Sequence, residues 1–180
     1  SDFAAKVGMP DMAADEEGYI AISFDGRPFH LQYDGDEDNV VALLARFAVH
    51  AGWGSTGDEA RRQVAEVRAR LAAARAPLVL VGGSRWDPDA CADLAEFARR
   101  WSLPVACAFR RQDLYDNRLP NYAGDIGIGP NPKLASRLRD ADLVVAIGER
   151  LGEMTTSGYT LLDAPSPRQA LVHVHPGAEE

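Results

Sequence analysis

The stretch Leu78-Val79-Leu80-Val81-Gly82-Gly83-Ser84 decides the fold of this chain. Four consecutive apolar residues with no polar alternation suit a strand buried on both faces, as in a parallel sheet covered by helices. The paired glycines stop the strand, and Asp87-Pro88 follows with an N-cap residue and a favoured first helical position. Leu94, Phe97 and Trp101 then recur on one helical face. Upstream, Thr56-Gly57-Asp58-Glu59 has capping-box form, and Val64, Val67, Leu71 and Ala74 make a stripe that ends before Pro77.

The same grammar continues downstream. Pro104-Val105-Ala106-Cys107-Ala108-Phe109 reads as a second strand, followed by a loop rich in Gly, Asn and Pro as far as Pro130. Asn131-Pro132 opens a short helix marked by Leu134 and Leu138. Leu143-Val144-Val145-Ala146-Ile147, ended by Gly148, and Ala170-Leu171-Val172-His173-Val174-His175, ended by Pro176, are two more strands. Strands alternating with helices predict an α/β fold: a Rossmann-like parallel sheet with helices on both faces and right-handed crossovers. Ligands of such sheets bind beyond the carboxyl ends of the strands. Here those ends are Gly82-Gly83-Ser84, Arg110-Arg111, Gly148-Glu149-Arg150 and His175-Pro176.

The first third of the chain is different. Of the 180 residues, 19 are Lys or Arg and 27 are Asp or Glu, a net charge of −8. Residues 1–57 carry ten of the acids against three bases, so most of the excess charge lies there. This division predicts a small acidic α+β unit at 1–55 and a second domain at 56–180. Tyr19–Phe24 and Pro28–Tyr33 flank Asp25-Gly26-Arg27 as a hairpin. Asn39–Phe47 fits either an amphipathic helix or a buried strand. An acidic chain without a basic cluster argues against a nucleic-acid or anionic-membrane partner, and no apolar run reaches a membrane span. Two cysteines, Cys91 and Cys107, suit a reducing, cytoplasmic setting, packed and inert.

Candidate site residues follow from the strand ends. Gly82, Gly83 and Ser84 could present bare amides to a phosphate, or simply form a tight turn. They match neither G-x-G-x-x-G nor a P-loop. Gly124-Asp125-Ile126-Gly127-Ile128-Gly129 resembles a dinucleotide loop but follows no strand in this reading. His173 and His175 share one strand face, where they are either plain polar residues or two ligands of a metal site that lacks a third. No nucleophile signature is present.

From about Thr56 to Glu180 the order and spacing of several segments resemble the central domain of thiamine diphosphate-dependent enzymes of the acetolactate synthase-like group. The segments are Ala76–Gly83, Leu103-Pro104-Val105, Tyr122-Ala123-Gly124, Ala141–Leu151 and Leu171–Pro176. The resemblance implies a carboligase or decarboxylase of 2-oxo acids, a transferase or lyase that works as an oligomer with thiamine pyrophosphate and magnesium held by its outer domains. This chain would then be a non-catalytic piece, truncated at its C-terminus, that binds no thiamine pyrophosphate alone and meets the other domains of the parent enzyme or further copies of itself. Relatives that hold FAD do so structurally in this domain. The matching positions here are Gly82, Gly83, Ser84, Gly127, Ile128, Gly148 and Arg150, with His173 and His175 where relatives carry acidic residues. A bound FAD or ADP would place its phosphates against Gly82-Gly83-Ser84 with Arg150 beside them. Residues 1–55 are similar instead to the start of a type III secretion chaperone, through Phe3–Pro10, an acidic turn and the two strands. That similarity implies a protein-binding module as the rival function, with a free nucleotide-binding domain as another.

Overall fold

The computed structural model describes residues 19–24, 27–32, 57–84, 86–163 and 166–174, with side chains from residue 65 onward. Near the start, β1 (Tyr19–Phe24) pairs antiparallel with β2 (Arg27–Gln32), Phe24 opposite Arg27. That is the expected hairpin, with Arg27 in the strand rather than the turn. The Asn39–Phe47 segment, Thr56 of the capping box, and His175-Pro176 lie outside the described residues.

Helix α1 (Gly57–Ala73) leads into β3 (Pro77–Val81), whose last four residues are buried. The loop between them is tied down by Asp142, whose two carboxylate oxygens accept the amides of Arg75 (2.7 Å) and Ala76 (3.0 Å). Helix α2 (Pro88–Trp101) starts as its sequence predicts: the Asp87 carboxylate accepts the Ala90 amide at 2.7 Å. It ends at Ser102, which takes up a left-handed conformation while its N–H bonds back to the last turn. Strand β4 (Val105–Cys107) is shorter than its apolar run, because the chain turns at Phe109-Arg110 with Arg110 at a positive φ of 61°.

The expected long loop to Pro130 is corrected by the structure. It contains a 3₁₀ turn at Gln112–Leu114 and a fifth strand, β5 (Tyr122–Asp125). Strand β5 pairs parallel with β4 through a register shift beside Val105 and Ala106, and its Gly124 sits opposite Ala106. Gly124-Asp125 is therefore strand, and the glycine-containing loop does run from a strand to a helix, contrary to the sequence reading. Helix α3 (Pro132–Asp140) begins with the Asn131 side chain accepting the Lys133 amide at 2.9 Å. Strand β6 (Leu143–Ile147), the one-turn helix α4 (Glu153–Thr156) and β7 (Ala170–Val174) complete the order.

The five strands form one sheet in the order β5-β4-β3-β6-β7, every neighbouring pair parallel. The strands of Leu78, Val105, Val144 and Val172 thus lie side by side as expected. Alternate strand residues point to opposite faces. On one face Val79, Val81, Val105, Cys107, Val145 and Ile147 pack with Val67 and Leu71 of α1 and Leu94 and Phe97 of α2. On the other, Leu78, Leu80, Ala106 and Val144 pack with Leu134 and Leu138 of α3 and with Leu161 and Leu162. Both faces are covered, so the continuous apolar runs of β3 and β6 are buried throughout.

Candidate functional site

The strand order fixes where a site can lie. From β3 the chain steps one way to β4 and β5, then crosses over by α3 to β6 on the opposite side of β3. The chain therefore leaves β3 and β6 towards opposite edges of the sheet, and the junction at such a switch point is where open α/β sheets hold ligands. The two loops are Gly82-Gly83-Ser84 and Gly148-Glu149-Arg150.

They are packed tightly against each other. A Cβ on Gly83 (φ +70°) would run into the carbonyl oxygen of Gly148, and one on Gly148 (φ +73°) would lie 2.6 Å from the carbonyl oxygen of Gly82. Glycine is required at both positions by conformation and by space. The amides are committed to the sheet: Gly82 donates to the Ile147 carbonyl (3.1 Å) and Gly148 to the Val174 carbonyl (2.8 Å). The Gly82 carbonyl accepts the indole N–H of Trp86 at 2.8 Å.

The Glu149 side chain fills the space over Gly82. A Cβ on Gly82 would strike its Oε2, with the Ala108 Cβ 2.8 Å away. The other carboxylate oxygen, Oε1, accepts the hydroxyl of the buried Thr155 at 2.9 Å. Half-buried His173 sits on the neighbouring strand with its Nε2 2.6 Å from the Glu149 carbonyl oxygen. A carbonyl can only accept, so Nε2 carries a proton and donates.

The predicted site residues are thus only partly united. Gly82, Gly83, Gly148 and His173 surround Glu149, and Ser84 and Arg150 are exposed on the two loops. Gly127 and Ile128 follow the edge strand β5, which β4 separates from β3, roughly 10 Å at ordinary strand spacing. There Gly127 packs on the Phe109 ring, where a Cβ would come within 2.9 Å, and Ile128 is exposed. His175 lies outside the described residues. Among the described residues no group of three or more His, Cys, Asp and Glu is placed to hold a metal ion.

Sequence reasoning does not single out Glu149, Thr155 or Trp86. Glu149 was visible as the residue after a strand-ending glycine. Its approach to Gly82 needed the β3–β6 register, which pairs Val81 with Ile147 and so sets the two loops abreast.

Comparison with known proteins agrees with this architecture. Residues 64–180 match the family described as thiamine pyrophosphate enzyme, central domain. A sulfoacetaldehyde acetyltransferase of Alcaligenes xylosoxydans is 32% identical over 86 residues, 48% of this chain and 14% of that protein. The acetolactate synthase isozyme 2 large subunit of Escherichia coli is 25% identical over 112 residues, 62% of this chain and 20% of its own length. An acetolactate synthase of Mycobacterium avium is 27% identical over 163 residues, covering 88% of this chain and 25% of that enzyme. The last match is longer than residues 56–180 can supply, so it continues into the acidic first unit. The chain spans a quarter or less of each of these relatives. The family match and the five-stranded parallel sheet lead to one assignment: the chain belongs to the thiamine pyrophosphate enzymes, as their central domain.

Proposed function

We propose that this chain is the central domain of a carboligase or decarboxylase that acts on a 2-oxo acid, and that it serves there as a scaffold. The observation that carries the reading is the family match over residues 64–180, joined to relatives that include two acetolactate synthases. In this reading thiamine pyrophosphate and magnesium belong to the intact parent enzyme, a cytoplasmic homo-oligomer, and the chain alone has no turnover. Cys91 and Cys107, both free thiols, support a reducing compartment.

A second role is open to a domain with glycine turns at its switch point: holding a nucleotide such as FAD or ADP against Gly82-Gly83-Ser84, with Arg150 beside the phosphates. The anchored Glu149 favours the scaffold. For residues 1–55, the Mycobacterium avium match supports membership of the same enzyme over a chaperone-like protein-binding module.

The surrounding reading frame tests the proposal. The family resemblance implies that the outer domains are a pyrimidine-binding domain with an activating glutamate, expected upstream, and a pyrophosphate-binding domain with a metal-binding Gly-Asp-Gly…Asn segment, expected downstream. A frame that encodes neither would overturn the enzyme reading and leave the chain as a binding module.

A further inference from the structure

We propose that the Glu149 carboxylate excludes phosphate-bearing ligands from the junction between β3 and β6, so that this central domain holds neither FAD nor ADP. The inference rests on the junction described above and deepens the scaffold reading.

A glycine turn cradles a phosphate by offering backbone N–H groups and a bare Cα that permits close approach. At Gly82 and Gly148 neither is on offer. The Gly82 and Gly148 amides are spent on the Ile147 and Val174 carbonyls within the sheet. The bare side of Gly82 is covered by the Glu149 Oε2 and the Ala108 methyl, and that of Gly83 by the Gly148 carbonyl. Each covering oxygen is an acceptor facing the place where a phosphate, itself an array of acceptors, would have to sit. No hydrogen bond can form between them, and the Glu149 carboxylate adds like-charge repulsion in a half-buried setting where screening is weak.

The carboxylate is also held in place. The Thr155 hydroxyl fixes Oε1, the His173 imidazole fixes the Glu149 carbonyl, and Thr155 is 3% exposed within α4. Swinging Glu149 aside would strand the buried Thr155 hydroxyl without that partner, which is unfavourable. A flavin or adenine nucleotide does not fit the residues present.

Calorimetric titration of the 180-residue chain with ADP and with FAD tests this, using wild type, Glu149→Gln and Glu149→Ala, with thermal melts confirming that each variant is folded. Wild type is expected to give no binding heat with either ligand. Glu149→Ala is expected to give measurable heat, with an affinity at least tenfold above the weakest that would have been detected for wild type, equivalent to about 1.4 kcal/mol. A similar gain in Glu149→Gln identifies charge as the barrier, and a gain in Glu149→Ala alone identifies bulk. Wild-type binding as tight as that of the variants overturns the proposal. So does the absence of binding in two folded variants, because Glu149 is then not what keeps nucleotides out. Neither outcome bears on whether the parent enzyme uses thiamine pyrophosphate.

Discussion

The Glu149 carboxylate stands against the Cα of Gly82, on the side where any other residue would carry its Cβ. The two residues lie just beyond the ends of neighbouring parallel strands, and the absence of a side chain on one makes room for the carboxylate of the other. Gly82→Ala should therefore overpack the junction and destabilise the chain by about 1–3 kcal/mol, read from denaturant midpoints. In a Glu149→Ala background part of that loss should disappear, with a coupling of at least about 0.5 kcal/mol. Strict additivity of the two changes would show that the carboxylate moves away freely.

Gly83 makes a different demand. Its φ is +70°, and its missing Cβ faces the backbone carbonyl of Gly148, which no rotamer change can clear. Gly83→Ala should cost at least about 2 kcal/mol, combining the left-handed penalty with a displaced loop. Glu149→Ala should not rescue it. A midpoint within experimental error of wild type would mean that the two loops are not in contact.

Asp142 predicts a pH dependence. The amide of Arg75, with that of Ala76, holds its carboxyl below the usual aspartate range. A depressed folded-state pKa means that the contribution is complete above the unfolded value of about 3.9 and is lost as pH falls through the lower folded value. Asp142→Ala should melt lower than wild type at pH 7, and the gap should close as pH is taken below about 4. A gap that stays constant or widens in acid would rule out the carboxylate as its source.

The cysteines should differ in reactivity. Burial pushes the Cys107 thiol up to about 12, aided by the charge of Asp113, so its thiolate is scarce at neutral pH. Cys91 is half-buried and raised in the same direction. Iodoacetamide at pH 8 should leave Cys107 unmodified in the native chain and alkylate both residues in denaturant, as followed by mass spectrometry of tryptic peptides. Native labelling of Cys107 as fast as Cys91 would place it at the surface.

How much of this was legible in the sequence depends on how local the cause is. Strands β3 and β6 are readable because Leu78–Val81 and Leu143–Ile147 are unbroken apolar runs, and α2 and α3 because Asp87-Pro88 and Asn131-Pro132 cap them. Strand β5 is not readable. Tyr122-Ala123-Gly124-Asp125 has little intrinsic strand preference and exists as a strand through its parallel pairing with β4. The candidate site divides in the same way. Gly82, Gly83 and Gly148 announce themselves by ending apolar runs. The placement of the Glu149 carboxylate over Gly82, and its anchoring by Thr155, arises from the register of β3 against β6 and from the turn at α4, which no stretch of sequence states alone.

The chain belongs to the thiamine pyrophosphate enzymes as their central domain, and we propose that these 180 residues have no turnover alone. The most direct test is a paired assay with pyruvate, thiamine pyrophosphate and magnesium, following release of carbon dioxide and formation of the carboligation product. The isolated chain should give no turnover above buffer, while the protein translated from the complete reading frame should consume pyruvate or another 2-oxo acid in a thiamine pyrophosphate-dependent way. Turnover by the isolated chain, or a full-length protein inert towards every 2-oxo acid offered, would contradict it.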